Sequence, residues 1–243
     1  MVSRYQGEPG WVNMVVAMPA EARPLVDAFA LEAVAGCDPF RVYHGHRLSL
    51  IVSGPGMARA AAAAGYLFRL NGGCREQGWL NLGVGGHRSH PTGAAFLAHR
   101  VSDSLSLESW YPLRVFTAPC PGEAVLTVGR VQRAYPRPVI YEMEAAGFLA
   151  ASLRFSTAEL VQVLKIISDN ADSSASRVRS PEIRALVAGQ LGAMERTRMA
   201  VTFVAQWAEK TNETRPETGC ASFISSVIPK LSKPFVLDGV VLL

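Results

Sequence analysis

Long apolar runs are missing from this sequence of 243 residues. No segment reaches the roughly 18 consecutive apolar residues that a bilayer-spanning helix needs, so a transmembrane helix is excluded. Residues 1–10 are of mixed polarity and lack the apolar stretch of a secretory signal. We therefore expect a protein with no membrane partner.

Cysteine is scarce and scattered. The four cysteines are far apart and form no CxxC pair, which argues against a disulfide framework or a structural zinc site. This usage fits a reducing compartment, and we expect a cytoplasmic protein.

Charge is also limited, because charged residues make up only 18% of the chain. Lys and Arg together number 24 against 20 Asp and Glu, a net charge of +4, and the basic residues are dispersed. Nucleic acid binding requires a concentrated basic patch, so we expect no nucleic acid partner.

Short apolar segments alternate with helical ones, and 49% of the residues are hydrophobic, which is enough for a sizeable core. Strands buried on both faces between helices indicate an α/β three-layer sandwich, and an early hairpin indicates a central mixed β-sheet. Strands are predicted at residues 11–18, 40–43, 47–52, 79–84, 94–101, 113–117, 124–128, 138–143 and 160–167. Helices are predicted at residues 21–30, 57–70, 145–153 and 181–209.

The composition changes near residue 210. Residues 1–210 are predicted to form a single catalytic domain, whereas residues 211–243 are rich in Thr, Pro, Ser and Gly before a final apolar run. This tail could be a late strand, a partner-binding segment or an appendage, and its role stays open.

Three acidic residues follow predicted strands. Glu21, Glu144 and Asp169 each lie at the carboxyl end of a strand, which is the edge of an open α/β sheet that binds ligands. Each also has an ordinary explanation. Glu144 could favour the positive end of a helix dipole, and Asp169 could be a turn residue or a helix cap. Glu21 could be a solvated residue of a first helical turn. Together, however, they indicate a ligand site.

Five segments resemble the nucleoside phosphorylase and nucleosidase superfamily, and most closely its methylthioadenosine/S-adenosylhomocysteine nucleosidase branch. They occur in the order found in that superfamily and extend over about residues 12–205. The segments are Ala-Met-Pro-Ala-Glu at 17–21, Ser-Gly-Pro-Gly at 53–56, Asn-Leu-Gly-Val-Gly-Gly at 81–86, Glu-Met-Glu-Ala-Ala at 142–146 and Ile-Ser-Asp-Asn-Ala-Asp at 167–172.

The resemblance implies a phosphorylase/hydrolase-like fold and cleavage of the N-glycosidic bond of a purine nucleoside. It assigns Asp169 as the general acid that protonates the departing base, and Glu21 as the base that activates water. Glu144 matches the glutamate that binds the ribose hydroxyls, and Met143 the methionine that packs on ribose and base. The other substrate-binding positions that it implies are Glu142, Val84, Gly85, Ser168 and Lys165.

Hydrolysis is favoured over phosphorolysis, because an anionic Glu21 would repel phosphate where phosphorylases place arginine and glycine. Phosphate nevertheless stays an alternative co-substrate. Gly54, Gly56 and Arg88 are anion-binding candidates, and Arg23 and Arg59 are further possible phosphate ligands. A non-catalytic nucleoside-binding module is the third alternative.

The resemblance also has gaps. Residues 103–138 are shorter than the matching region of the nucleosidases and lack a clear match to the aromatic loop that stacks on the purine. Trp110, Tyr111 or Tyr135 could replace that ring or be ordinary core. His87 and His90 could contact a 5′ group or phosphate together with Arg88, but we interpret them as solvated loop residues. Their spacing from acids and cysteines does not fit a metal site.

No metal or other cofactor is expected, since protonation activates the leaving base. The resemblance further implies a homodimer or a larger homo-oligomer.

Overall fold

The computed structural model describes residues 10–172 and 178–208 in full, the backbone of residues 209–212, and two strands at residues 235–237 and 240–242. The predicted α/β fold with a mixed sheet is confirmed. Its helices are α1 (Pro19–Ala28), α2 (Met57–Leu70), α3 (Ala145–Ser152), α4 (Ser180–Gly189) and α5 (Leu191–Asn212). Its strands are β1 (Val12–Val16), β2 (Glu32–Val34), β3 (Arg41–Gly45), β4 (Leu48–Val52), β5 (Gly78–Gly86), β6 (Ala95–Asp103), β7 (Ser109–Trp110), β8 (Gly122–Thr127), β9 (Ile140–Glu142), β10 (Val161–Asp169), β11 (Phe235–Leu237) and β12 (Val240–Leu242).

Ten of the described strands belong to one mixed sheet. Strands β10, β5, β1 and β4 are parallel neighbours in that order, and β3 continues the sheet as the antiparallel partner of β4. The carboxyl ends of the four parallel strands therefore meet at one edge of the sheet.

Part of the sheet closes on itself. From β10 the pairing continues through β6, β8 and β9, and β9 returns to β5 through a bridge between Gly86 and Tyr141. This closure carries the end of β9, with Glu142, back to the edge where β5 and β10 end.

Helices cover both faces of the sheet, which gives the three layers. On one face α2 and α3 pack on buried residues such as Val15, Ile51 and Trp79. On the other face α1, α4 and α5 pack on Met14, Leu50 and other core residues. The strands are apolar on both sides because both of their faces are buried.

Two local predictions are wrong. Residues 113–117 do not form a strand, although Phe116 makes a single bridge and is buried. The predicted helix 181–209 is two helices that break at Gln190, whose side-chain amide donates to the carbonyl of Gly93 at 2.7 Å.

The division into a domain of residues 1–210 and a tail stays a prediction. Most of residues 211–243 lie outside the described residues, and the described part of them includes the antiparallel pair β11–β12. In the part of the chain that the structure describes, no helix combines the length and apolarity needed to cross a membrane.

Candidate active site

A cavity of about 330 Å³ lies at the carboxyl ends of the parallel strands. Eight of the sequence-predicted site residues line it, and they come from four distant segments of the chain. They are Glu21, Val84, Gly85, Glu142, Met143, Glu144, Ser168 and Asp169.

Glu21 is fixed by backbone amides on two sides of the cavity. Its Oε2 accepts hydrogen bonds from the amides of Ala17 and Met18, both at 2.9 Å, and its Oε1 accepts one from Val84 at 3.0 Å. The side chain is 2% exposed, so the interpretation of Glu21 as a solvated first-turn residue is wrong. Burial raises the pKa of the Glu21 carboxyl, although these hydrogen bonds oppose the shift.

Glu144 links the cavity to the start of α2. Its Oε1 accepts a hydrogen bond from the amide of Gly56 at 2.8 Å, and the residue precedes α3. Burial, together with the neighbouring Glu142 carboxylate, raises the pKa of Glu144 to about 7. Glu144 therefore changes its charge near neutral pH.

Lys165 does not line the cavity itself but pairs with Glu142, which does. The distance from Lys165 Nζ to Glu142 Oε2 is 2.8 Å, and both side chains are buried. Burial acts to raise the pKa of Glu142, but the Lys165 ammonium holds it below its usual value. Although burial acts to lower the pKa of Lys165, the surrounding carboxylates raise it. Glu142 and Lys165 are therefore a charged pair, to which Glu21 and Glu144 are electrostatically coupled.

Glu142 also accepts hydrogen bonds from Thr127 in β8 and from two backbone amides at the start of α3. Thr127 Oγ1 donates to its Oε1 at 2.5 Å, and the amides of Glu144 and Ala145 donate to its Oε2. Thr127 was not singled out from the sequence, although a polar residue at the end of a predicted strand is a usable signal.

Asp169 ends β10 and has a donor on each carboxylate oxygen. Ser168 Oγ donates to Oδ1 at 2.5 Å, and the Tyr135 hydroxyl donates to Oδ2. Tyr135 is 6% exposed and does not line the cavity, so it contacts Asp169 from behind. Burial and the contact with Asp169 raise the pKa of Tyr135, which keeps the phenol protonated.

Gly86 makes the contact between Tyr135 and Asp169 possible. A Cβ on Gly86 would lie 2.6 Å from the Tyr135 hydroxyl and 2.7 Å from Asp169 Oδ2. Any side chain there would therefore displace one of the two groups.

The anion-binding candidates do not form one site. Gly54 lines a second cavity, and Gly56 donates its amide to Glu144 rather than facing an open site. Arg88 is exposed and lines neither cavity, and its carbonyl oxygen accepts a hydrogen bond from the amide of Ala171. The structure does not bring Arg88 together with the two glycines, and anion binding by these residues stays a prediction.

His87 and His90 belong to a hydrogen-bonded cluster with Glu123. His87 is 2% exposed, so its interpretation as a solvated loop residue is wrong. Its Nδ1 accepts from the amides of Ser89 and His90, and His90 Nε2 lies 2.8 Å from Glu123 Oε2.

Among the described residues, these three side chains are the group whose ligand atoms are close enough to hold a metal ion. An Nδ1 atom that accepts two amide protons leaves the ring proton on Nε2 of His87, and a protonated nitrogen offers no lone pair to a metal. These hydrogen bonds therefore connect the loop after β5 to strand β8.

Comparison with solved structures gives the fold. An apo 5′-methylthioadenosine nucleosidase from Arabidopsis thaliana matches with a TM-score of 0.62 and 17% identity over 81% of this chain and 96% of that one. A mutant Helicobacter pylori nucleosidase with 5′-methylthioadenosine in its active site matches with a TM-score of 0.64 and 14% identity, over 78% and 97% of the two chains. This chain has the methylthioadenosine nucleosidase fold.

A futalosine hydrolase mutant of Helicobacter pylori shares the nucleosidase fold as well, with a TM-score of 0.60 and 13% identity over 77% of this chain and 97% of that one. The resemblance drawn from the sequence motifs is therefore confirmed at the level of the fold. No protein-family model and no curated protein sequence matches the chain.

Proposed function

We propose that the protein is an enzyme that hydrolyses the N-glycosidic bond of a purine nucleoside. The observation that carries this proposal is the convergence of Glu21, Glu144 and Asp169 on one cavity at the ligand-binding edge of the sheet. The nucleosidase fold of the chain supports it.

Asp169 is suited to the leaving base. Breaking the glycosidic bond sends its electron pair to the purine, which needs a proton, and a positioned carboxylic acid supplies one. The donors on both oxygens of Asp169 fix the orientation of this carboxyl group at the cavity wall.

Glu144 is suited to the sugar. Its carboxylate can accept hydrogen bonds from the ribose hydroxyls, and its negative charge stabilises the cation that develops on the sugar as the base departs. Met143 lines the same wall and offers an apolar contact to ribose and base.

Glu21 is suited to water. A carboxylate whose pKa is raised by burial is a stronger base, and Glu21 can take one proton from water as the water oxygen bonds to the sugar C1′ carbon. The other water proton stays on the new sugar hydroxyl, so atoms and charge balance. The surrounding carboxylates disfavour phosphate in this place.

Glu21→Gln tests the hydrolytic step. The purified protein is incubated with a panel of purine nucleosides, with and without phosphate, and free base is measured by chromatography. We expect base release without phosphate, and a loss of about 100-fold or more in Glu21→Gln. Arg23→Gln changes an exposed side chain of the same helix and serves as the control.

Two outcomes would favour the alternatives. Turnover that strictly requires phosphate and yields a sugar 1-phosphate would assign phosphorolysis. Stabilisation by nucleosides without any base release would assign a binding module. The thermal unfolding midpoint of Glu21→Gln is measured alongside, since its amide cannot accept all three backbone hydrogen bonds.

A further inference from the structure

A second cavity of about 610 Å³ adjoins the first. Ala17, Met18 and Pro55 line both cavities, so the two spaces meet at these residues. The proposed hydrolysis uses groups that line the first cavity, and it assigns no role to the second cavity.

The strand order shows where the second cavity lies relative to a bound nucleoside. Asp169 ends β10, Ala17 follows β1, and Ser53 follows β4 on the far side. Neighbouring strands are about 4.8 Å apart, so the edge from β10 to β4 extends over about 14 Å. A base at Asp169 and a ribose at Glu144 would fill the near part, and a group attached to the far side of the sugar would enter the second cavity.

Two arginines and no acidic residues line this second cavity. Arg41 begins β3 and pairs with Val52 at the end of β4, which places it on the same edge of the sheet. Arg59 lies in the first turn of α2 and packs on Gly54, because a Cβ there would be 3.1 Å from its Cδ. In the described residues no ion pair joins either guanidinium to a carboxylate.

We propose that the second cavity is a subsite for an oxyanion, a carboxylate or a phosphate, held by Arg41 and Arg59. Guanidinium groups bind these anions through paired hydrogen bonds. The first cavity is less suited to that role, because its described lining includes four carboxyl groups and no arginine or lysine. The inference rests on the proposed function, and it adds that the preferred ligand carries, or binds beside, a negative charge beyond the ribose.

The test compares matched ligands that differ in charge. Adenosine is compared with adenosine 5′-monophosphate, and 5′-methylthioadenosine with its 5′-carboxymethylthio analogue, in the wild type, Arg41→Gln and Arg59→Gln. We expect KM for the anionic nucleosides to rise about tenfold in each variant, with KM for the neutral ones unchanged. The control Arg69→Gln alters an exposed arginine of α2 that lies about 15 Å from Arg59 along the helix. It should leave KM unchanged for both the anionic and the neutral nucleosides.

A separate arm varies inorganic phosphate with adenosine as the nucleoside. If the anion is free phosphate, the apparent KM for phosphate rises about tenfold in both arginine variants, and anionic nucleosides are not preferred. The proposed subsite is overturned if both variants keep the wild-type ratio of KM for anionic nucleosides to KM for neutral ones, and if the apparent KM for phosphate is also unchanged.

Failure of the proposed function is distinguishable from failure of the subsite. If the wild type releases no base from any nucleoside, calorimetry measures the Kd of adenosine and of adenosine 5′-monophosphate instead. Tighter binding of the phosphorylated ligand that is lost in Arg59→Gln supports the subsite without catalysis. Equal binding in both proteins contradicts it.

Discussion

The Tyr135 hydroxyl makes a contact with Asp169 that the sequence does not indicate. Tyr135 is one of three aromatic residues that the sequence offers as a stacking ring, whereas in the structure its hydroxyl donates a hydrogen bond to Asp169. Nothing in the local pattern of residues 103–138 predicts this contact, because it joins positions 34 residues apart through the ring closure of the sheet.

Tyr135→Phe tests the positioning of Asp169. Removing one hydrogen bond worth about 1 kcal/mol should lower kcat about fivefold, with little change in KM, and should shift the pH profile of kcat. Tyr111→Phe is the matched control, since Tyr111 is 66% exposed.

An unchanged kcat and pH profile in a folded Tyr135→Phe protein would show that the hydroxyl only fills space. An equal fall in kcat for both tyrosine variants would show that the effect does not come from the contact with Asp169.

Glu144 predicts a pH dependence of ligand binding. Its pKa is raised to about 7, so it is an anion above that pH and a neutral acid below it. The anion is the form that accepts hydrogen bonds from two ribose hydroxyls. Nucleoside affinity should therefore weaken up to about tenfold per unit as the pH falls below 7, measured as Kd by calorimetry.

Glu144→Gln removes the titrating group and keeps an oxygen for the Gly56 amide. Above pH 7 its Kd should be larger than that of the wild type. Below pH 7 its Kd should stay nearly constant as the pH falls. A wild-type Kd that stays constant through the neutral range would rule out this role for Glu144.

At the scale of elements, the packing of α3 on α2 positions Glu144. A Cβ on Gly147 in α3 would lie 2.1 Å from the carbonyl oxygen of Met57, at the start of α2. The two helices can approach this closely because residue 147 has no side chain. The Gly56 amide, which holds Glu144, belongs to the same contact.

Gly147→Ala should therefore force the helices apart, with a loss of about 2 kcal/mol or more in the free energy of unfolding and weaker nucleoside binding. Gly65→Ala is the control, because Gly65 lies within α2 with open space around it. For Gly65→Ala we expect the free energy of unfolding to rise by up to about 1 kcal/mol, because alanine has the higher helix propensity. Chemical denaturation measures both, and a tolerated Gly147→Ala would contradict the packing argument.

Helices and strands were predictable where local pattern decides them. The alanine-rich helix over residues 57–70 is confirmed by α2 at both ends, because composition alone favours it. Residues 113–117 were wrongly predicted as a strand, since the Leu113 carbonyl accepts from the side chain of Gln162 instead of from a neighbouring strand. The break at Gln190 likewise depends on a partner, Gly93, that is remote in the sequence.

At the scale of the whole molecule, the sheet brings together carboxylates that are separated by up to 148 positions, from Glu21 to Asp169. The sequence predicted that they follow strands, and the resemblance predicted which of them share a cavity. Neither the sequence nor the resemblance could show that Lys165 pairs with Glu142, because that contact depends on the pairing of β9 with β5. The homo-oligomer and the cytoplasmic location stay predictions.

The central claim is that Asp169 and its neighbouring carboxylates act together on one purine nucleoside. Release of free purine in phosphate-free buffer, compared between the wild type, Asp169→Asn and the exposed control Asp172→Asn, tests it most directly. We expect full release in the wild type and in Asp172→Asn, and a loss of about 100-fold or more in Asp169→Asn with nucleoside binding retained. Equal release by all three proteins would contradict the claim.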